Sequence, residues 1–227
     1  MTTHEEGSPV AKNRVFLVDD HPLVREWLTS LINQQPDLIV CGEADDPPEA
    51  LRGIAAARPD VAVVDISLKS GSGLELIKQM KSSHPNVAVV VLSMHDESLY
   101  GERALRAGAS GYVVKRDTPK KVVAAIRRVL DGQLYVSERF AALMAQRFIK
   151  GRQPLSGSPV EQLSDRELEI FDLLGQGTGT RQIAEKLRVS IKTVQAYCAR
   201  IKDKLHVQNA TELLREAIRW QHEKHSS

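Results

Sequence analysis

Across residues 13–133, short uninterrupted apolar runs alternate with amphipathic segments. The runs lie at 15–18, 38–40, 61–64, 87–92 and 112–114 and are rich in β-branched residues. None shows the in-out alternation of a half-exposed strand, as expected when helices cover both faces of a sheet. Helical periodicity falls between them, at 23–34, 47–57, 72–82, 99–107 and 118–130. Five strands alternating with five helices predict a doubly wound α/β domain around a five-stranded parallel sheet. Pro36, Pro59 and Pro85 each stand just before a strand, where a helix must have ended, and Gly108 and Gly111 do so before the fifth.

The pattern then changes. One more helix is predicted at 137–149, with Ser137 as its N-cap. Residues 151–159, rich in Gly, Pro and Ser, have a linker's composition. From residue 160 all periodicity is helical. Ser164-Asp165-Arg166-Glu167 reads as a capping box opening a helix with Leu168, Ile170, Phe171 and Leu174 on its apolar face. A second helix is expected at 181–187, a turn at Val189 and Ser190, a third helix capped by Ser190 and running to 205, and a fourth opened by Asn209 or Thr211. The expected organisation is an α/β domain over 13–133, a linker helix and flexible linker over 134–159, and a small all-α four-helix domain over 160–222.

Composition adds exclusions. The 227 residues suit two small domains, and 42% hydrophobic with 26% charged residues exclude wholesale disorder. No apolar run approaches the roughly 20 residues a bilayer span needs. The polar N-terminus lacks a signal-peptide core, so a cytoplasmic location with no membrane partner is expected. Cys41 and Cys198 lie far apart and are expected to be reduced. Net charge is only +2, yet residues 134–159 hold four basic residues against one acidic.

In doubly wound sheets, ligands gather at the carboxyl ends of the strands. Those ends carry Asp19 and Asp20, Asp65, Ser93 and Lys115. Three gathered carboxylates repel unless a cation sits among them, and oxygen donors point to a hard divalent ion, Mg²⁺ first. A lysine and a hydroxyl beside them suit phosphoryl oxygens. His21 is adjacent, but a helix-start role suits it better than metal binding.

Val15-Phe16-Leu17-Val18-Asp19-Asp20-His21, Val64-Asp65-Ile66-Ser67-Leu68, Val91-Leu92-Ser93-Met94-His95-Asp96-Glu97 and Gly111-Tyr112-Val113-Val114-Lys115 together resemble the receiver domain of bacterial two-component response regulators. The resemblance implies that Asp65 accepts a phosphoryl group from a sensor histidine kinase. It implies that Asp20 binds Mg²⁺ directly, Asp19 largely through water, and that Asp65 and the Ser67 carbonyl complete the metal site. Lys115 and Ser93 would hold the phosphoryl oxygens, and Tyr112 would be the aromatic switch that turns inward when Ser93 moves. Ser67 and His95 occupy places that influence hydrolysis of the acyl phosphate in this family. Lys69 stands where the family often has Pro, which changes the following loop.

In the C-terminal part, helix, turn and helix at 179–187, 188–189 and 190–205 suggest a helix-turn-helix. The second of these helices has Ile191, Val194, Ile201 and Leu205 for the core and carries Lys192, Arg200, Lys202 and Lys204 against Asp203. Leu163-Ser164-Asp165-Arg166-Glu167-Leu168-Glu169-Ile170, residues 183–190, Thr193-Val194 and Lys204-Leu205-His206-Val207 resemble the LuxR-type DNA-binding domain. With the receiver in front, the chain resembles the NarL/FixJ subfamily of response regulators. Gln195, Ala196 and Ala199 are then expected at the major groove of double-stranded DNA, Lys192, Arg200 and Lys204 on phosphates, and Thr193 among the DNA-binding residues. Gln195 and Tyr197 replace the family's usual Lys and His.

The expected function is therefore a phosphorylation-controlled transcription factor, not a conventional enzyme, that handles its own phosphoryl group. Phosphorylation would promote a homodimer on DNA, and RNA polymerase is a further possible contact. A phosphorylation-independent DNA-binding regulator with a degenerate receiver fits less well, because all five pocket residues are intact. An Asp/Mg²⁺ phosphotransferase would generally need a carboxylate two residues beyond the nucleophile, where Ser67 stands.

Overall fold

The computed structural model describes residues 12–68, 71–117, 119–149 and 159–225. The polar N-terminus, Lys69 and positions 151–158 of the expected linker lie outside the described residues. The chain forms two compact units, residues 1–145 and 146–227.

The first unit has the predicted alternation. The strands of its main sheet are β1 (Asn13–Val18), β2 (Leu38–Ala44), β3 (Val61–Val64), β4 (Ala88–Ser93) and β5 (Gly111–Val114), beside a short antiparallel pair, Ser67–Leu68 with Gly71–Ser72. The main sheet is parallel, in the order β2-β1-β3-β4-β5. The helices are α1 (Pro22–Asn33), α2 (Pro47–Ala57), α3 (Gly73–Ser83), α4 (Glu97–Ala107) and α5 (Pro119–Leu130). Val15, Leu17, Val63, Val90 and Leu92 pack in one core with Leu28 and Ile32 of α1 and Ile126 and Val129 of α5. Asp46 and Asp96 cap α2 and α4 through their side chains, which fixes where these helices begin.

Beyond one-residue shifts, three boundaries differ from the sequence reading. β1 begins at Asn13, two residues before its apolar run. β2 runs on to Ala44 because it is an edge strand whose middle is half-exposed, so Cys41, Gly42 and Glu43 do not form an apolar run. The pairing also skips a residue there: Val15 faces Val40 and Phe16 faces Gly42. α4 begins at Glu97, two residues before the apolar period, because the Asp96 cap starts it.

α6 (Glu138–Ile149) starts within the first unit, where Phe140 N donates to the Ser137 hydroxyl at 3.1 Å as the cap predicts. In the second unit, a short 3₁₀ turn (Pro159–Gln162) precedes α7 (Asp165–Gly175), α8 (Thr180–Lys186), α9 (Ile191–Leu205) and α10 (Ala210–His225). The Ser164–Glu167 capping box is formed, and Asn209 caps α10 through a 3.0 Å bond from Glu212 N. The core joins Leu168 and Phe171 of α7, Ile183 of α8, Val194 and Ile201 of α9, and Leu213 and Ala217 of α10. Ile191, expected in that core, is 43% exposed because it occupies the first turn of α9, clear of the packed stripe. Both cysteines are free, and burial pushes each thiol above its ordinary range, away from reactivity.

Candidate functional site

Parallel pairing sets the ends of β1, β3 and β4 side by side: Val18 faces Val64, and Val64 faces Val91. Asp19 and Asp20 leave β1, Asp65 leaves β3, Ser93 ends β4 and Lys115 leaves β5. All three carboxylates and Ser93 are buried. Lys115 Nζ stands 2.6 Å from Asp19 Oδ2 and 2.6 Å from Asp65 Oδ2, bridging the two acids. Asp65 Oδ1 accepts from Ser67 N at 3.1 Å. His21 stands at the helix start expected of it and also beside the carboxylates. It precedes α1 as N-cap, and its Nδ1 lies 3.1 Å from Asp19 Oδ1 and 3.0 Å from Asp20 Oδ1.

The electrostatics explain what the pocket can hold. Burial pushes the Asp65 carboxyl up to about 6, with Asp19 adding to the rise and Lys115 opposing it. Burial disfavours charge on Lys115, but Asp65 and Asp19 more than offset this and hold its ammonium above the usual lysine range. One ammonium does not balance three carboxylates. Ligand atoms of Asp19, Asp20, His21 and Asp65 lie within 4.8 Å of one another, close enough to share one ion. A mainly oxygen donor set of this charge fits a hard divalent cation.

Gly73, the first residue of α3, determines where Asp65 can sit. Its N–H donates to Ile66 O at 2.8 Å, and a Cβ there would lie 2.0 Å from the Asp65 carbonyl oxygen. Any side chain would drive the Asp65 backbone out of place. Sequence reasoning missed this role, since Gly73 had read only as part of a helix start.

On the other side of the pocket, Ser93 Oγ accepts from His95 N at 3.1 Å. His95 Nε2 lies 2.9 Å from Ser67 Oγ, joining the two residues singled out two places beyond Ser93 and Asp65. The Tyr112 ring is buried, its hydroxyl donates to His95 O at 3.0 Å, and burial raises its pKa. The tyrosine thus touches the segment that follows Ser93.

In the second unit, α8, the turn at Arg188 and α9 form the helix-turn-helix, Arg188 adopting φ 50°. Lys192, Gln195, Ala196, Ala199 and Arg200 are exposed on α9. Thr193 lies at the helix start: its N–H donates to Ser190 Oγ at 3.0 Å, and the two hydroxyls are 2.8 Å apart. The Arg200 guanidinium stands 5.5 Å from the centre of the Tyr197 ring, an arrangement that steadies a long cationic side chain.

Lys204 has partners within the unit. Its ammonium lies 2.6 Å from Glu167 Oε2 and donates to Gln162 O at 3.1 Å. These contacts hold the ammonium within the unit, in competition with the phosphate role expected of it. Burial acts to raise the Glu167 pKa, but Lys204 and Ser164 together hold that carboxyl below the usual range. The stabilisation is therefore present above the unfolded carboxylate pKa and is lost as pH falls through the folded one. Lys204→Ala should cost about 1–3 kcal/mol at neutral pH, because the buried Glu167 loses a charged partner. Denaturant unfolding at pH 7 and at pH 3 should show the penalty at the first and a smaller one at the second.

The comparisons agree with this geometry. Residues 15–127 match the response regulator receiver domain, and residues 161–217 match the bacterial regulatory proteins of the luxR family. The oxygen regulatory protein NreC of Staphylococcus epidermidis is 34% identical over 211 residues, covering 91% of this chain and 97% of that protein. NreC of Staphylococcus carnosus is 33% identical over 210 residues, covering 91% and 97%. Among solved structures, Salmonella enterica serovar Typhimurium RcsB bound to promoter P1flhDC with the phosphomimetic BeF3⁻ is similar with TM-score 0.59. The identity is 26%, with 91% of this chain and 98% of that one covered. A LuxR-family two-component response regulator from Aurantimonas matches with TM-score 0.57 and 34% identity, over 61% of this chain and 99% of that one. Among the described residues no helix is long and apolar enough to cross a membrane. The chain belongs to the NarL/FixJ-type two-component response regulators, transcription regulators that join a receiver to a LuxR-type DNA-binding domain.

Proposed function

We propose that Asp65 accepts a phosphoryl group from a sensor histidine kinase and that this switches a cytoplasmic transcription factor from monomer to DNA-bound homodimer. The observation that carries the reading is the Lys115 ammonium held 2.6 Å from both Asp65 and Asp19. An Asp65 carboxylate oxygen attacks phosphorus, the bond from phosphorus to the kinase imidazole nitrogen breaks, and the imidazole leaves with the electron pair. Lys115 and Ser93 then hold the phosphoryl oxygens, and hydrolysis of the acyl phosphate resets the protein. Asp19, Asp20, Asp65 and the Ser67 carbonyl would hold Mg²⁺. When bound, the ion neutralises charge building on the phosphoryl oxygens.

Protons compete for this site. With Asp65 pushed up to about 6, roughly one molecule in ten keeps that carboxylate ionised at pH 5. Mg²⁺ affinity measured by calorimetry should be about tenfold weaker at pH 5 than at pH 7.5. Equal affinities would remove Asp65 from the metal's ligands.

Dimerisation supplies what one helix-turn-helix lacks, since a second linked contact raises affinity without new chemistry. Structures of RcsB dimers bound to DNA support this arrangement. Lys192 and Arg200 are the phosphate contacts we retain, while Gln195, Ala196 and Ala199 face the bases. Thr193 serves the helix start, and RNA polymerase is a candidate contact of the DNA-bound form. Glutamine can donate to N7 and accept from the amino group of adenine, so Gln195 should favour an A·T pair. DNA selections with the phosphorylated protein and its Gln195→Ala variant test this. The variant should lose about 1–3 kcal/mol of discrimination at one position per half-site. An unchanged base preference would mean that Gln195 does not read the groove.

A further inference from the structure

We infer that Glu97 and the start of α6 form a latch, through which the phosphorylation pocket controls the helix leading into the second unit. The inference rests on the reading of Asp65 as phosphoryl acceptor.

The start of α6 lacks one of its own parts. In a capping box, the third helical residue is an acid or amide that accepts from the N-cap N–H. That place in α6 is Phe140, which is buried against Gly101 of α4. A Cβ at Gly101 would lie 2.8 Å from Phe140 Cζ, so the glycine makes the seat. The missing acceptor comes from α4. Ser137 N donates to Glu97 Oε1 at 3.0 Å and Oε2 at 3.2 Å. Glu97 is only 7% exposed and is also the first residue of α4, so one carboxylate stands at the start of two helices. Burial raises its pKa, and the Ser137 contact opposes the rise.

The segment before the latch is also pinned. Tyr135 N donates to Ser110 O at 2.9 Å, and Tyr112 N donates to Tyr135 O at 2.8 Å. The residue next to the latch therefore continues the sheet beyond β5.

The other end of the latch reaches the pocket. Two residues before Glu97, His95 donates its N–H to Ser93 Oγ and accepts from the Tyr112 hydroxyl. When Ser93 Oγ turns to a phosphoryl oxygen, His95 N loses its acceptor and the 93–97 segment shifts. Glu97 then leaves Ser137, and the first turn of α6 loosens.

Amide hydrogen exchange on the full chain tests this, using beryllium fluoride with Mg²⁺ as the phosphoryl mimic and ¹⁹F NMR to report its binding. On loading, the amides of Ser137, Phe140 and Ala141 should exchange about tenfold faster. In Glu97→Ala, which removes the acceptor, they should be fast before loading and change little on it, with the bound-fluoride signal retained. Gly101→Ala, which fills the Phe140 seat and leaves the carboxylate in place, should do the same. Unchanged protection in wild type with fluoride bound would overturn the latch alone. Wild-type protection in both variants would overturn it too. Absence of a bound-fluoride signal would overturn the pocket reading and remove the latch's trigger with it.

Discussion

Asp65→Asn should take up no phosphoryl group, because a neutral amide cannot supply the attacking oxygen. With it should go every phosphate-dependent change in mass and DNA affinity. The fold should survive. The amide is nearly isosteric, its oxygen can still accept from Ser67 N, and Lys115 keeps Asp19 as a partner. Stability should even rise. The folded pKa of Asp65 is raised from 3.8 to about 6, so the fold binds the proton more tightly than the unfolded chain does. Stability linked to this group is greatest below the unfolded pKa, falls as pH climbs from about 4 to about 6, and stays reduced above it. Asparagine removes that ionisation. Without metal, the variant's melting temperature at pH 7 should equal or exceed that of the wild type. A lower one would mean that the ionised carboxylate stabilises the pocket. Retained labelling by a small acyl-phosphate donor would end the assignment.

Phe171→Ala should have the largest effect on the second unit. The ring is wholly buried in α7 and packs against Trp220 of α10, with centroids 5.6 Å apart. Truncating such a ring costs about 3–5 kcal/mol. A helical domain of this size holds roughly 3–9 kcal/mol in total, so the truncation removes a third of it or more and the second unit should melt well below its wild-type temperature. The first unit has its own core, built from β1, β3, β4, α1 and α5. Above that lowered transition, phosphoryl uptake at Asp65 should therefore persist while DNA binding is lost. Calorimetry should show the receiver transition unmoved. Parallel loss of both activities would show that the units do not fold independently.

What the sequence made legible follows from how local each signal is. Uninterrupted valine-rich runs mark buried strands, so β1, β3, β4 and β5 were readable. The end of β2 was not, because an edge strand with a skipped pair loses both apolar continuity and strict alternation. The five pocket residues stood out because each ends a recognisable strand, and parallel topology does the gathering. Gly73 did not, since its role is an approach between backbones eight residues apart. Glu97 and Ser137 are 40 positions apart on different elements, and no spacing rule connects them. The partners of Lys204 were hidden for a related reason. A basic residue on a recognition helix reads as a phosphate contact, and the capping box gave no sign that Glu167 also holds Lys204.

The central claim is that one acyl phosphate forms, on Asp65, in a pocket that needs a divalent ion. Borohydride trapping after incubation with a small acyl-phosphate donor, followed by peptide mass mapping, measures this directly. The account predicts reduction at Asp65 alone, in the presence of Mg²⁺ and not after its chelation. Trapping at Asp19 or Asp20, or labelling that persists without the metal, would contradict it.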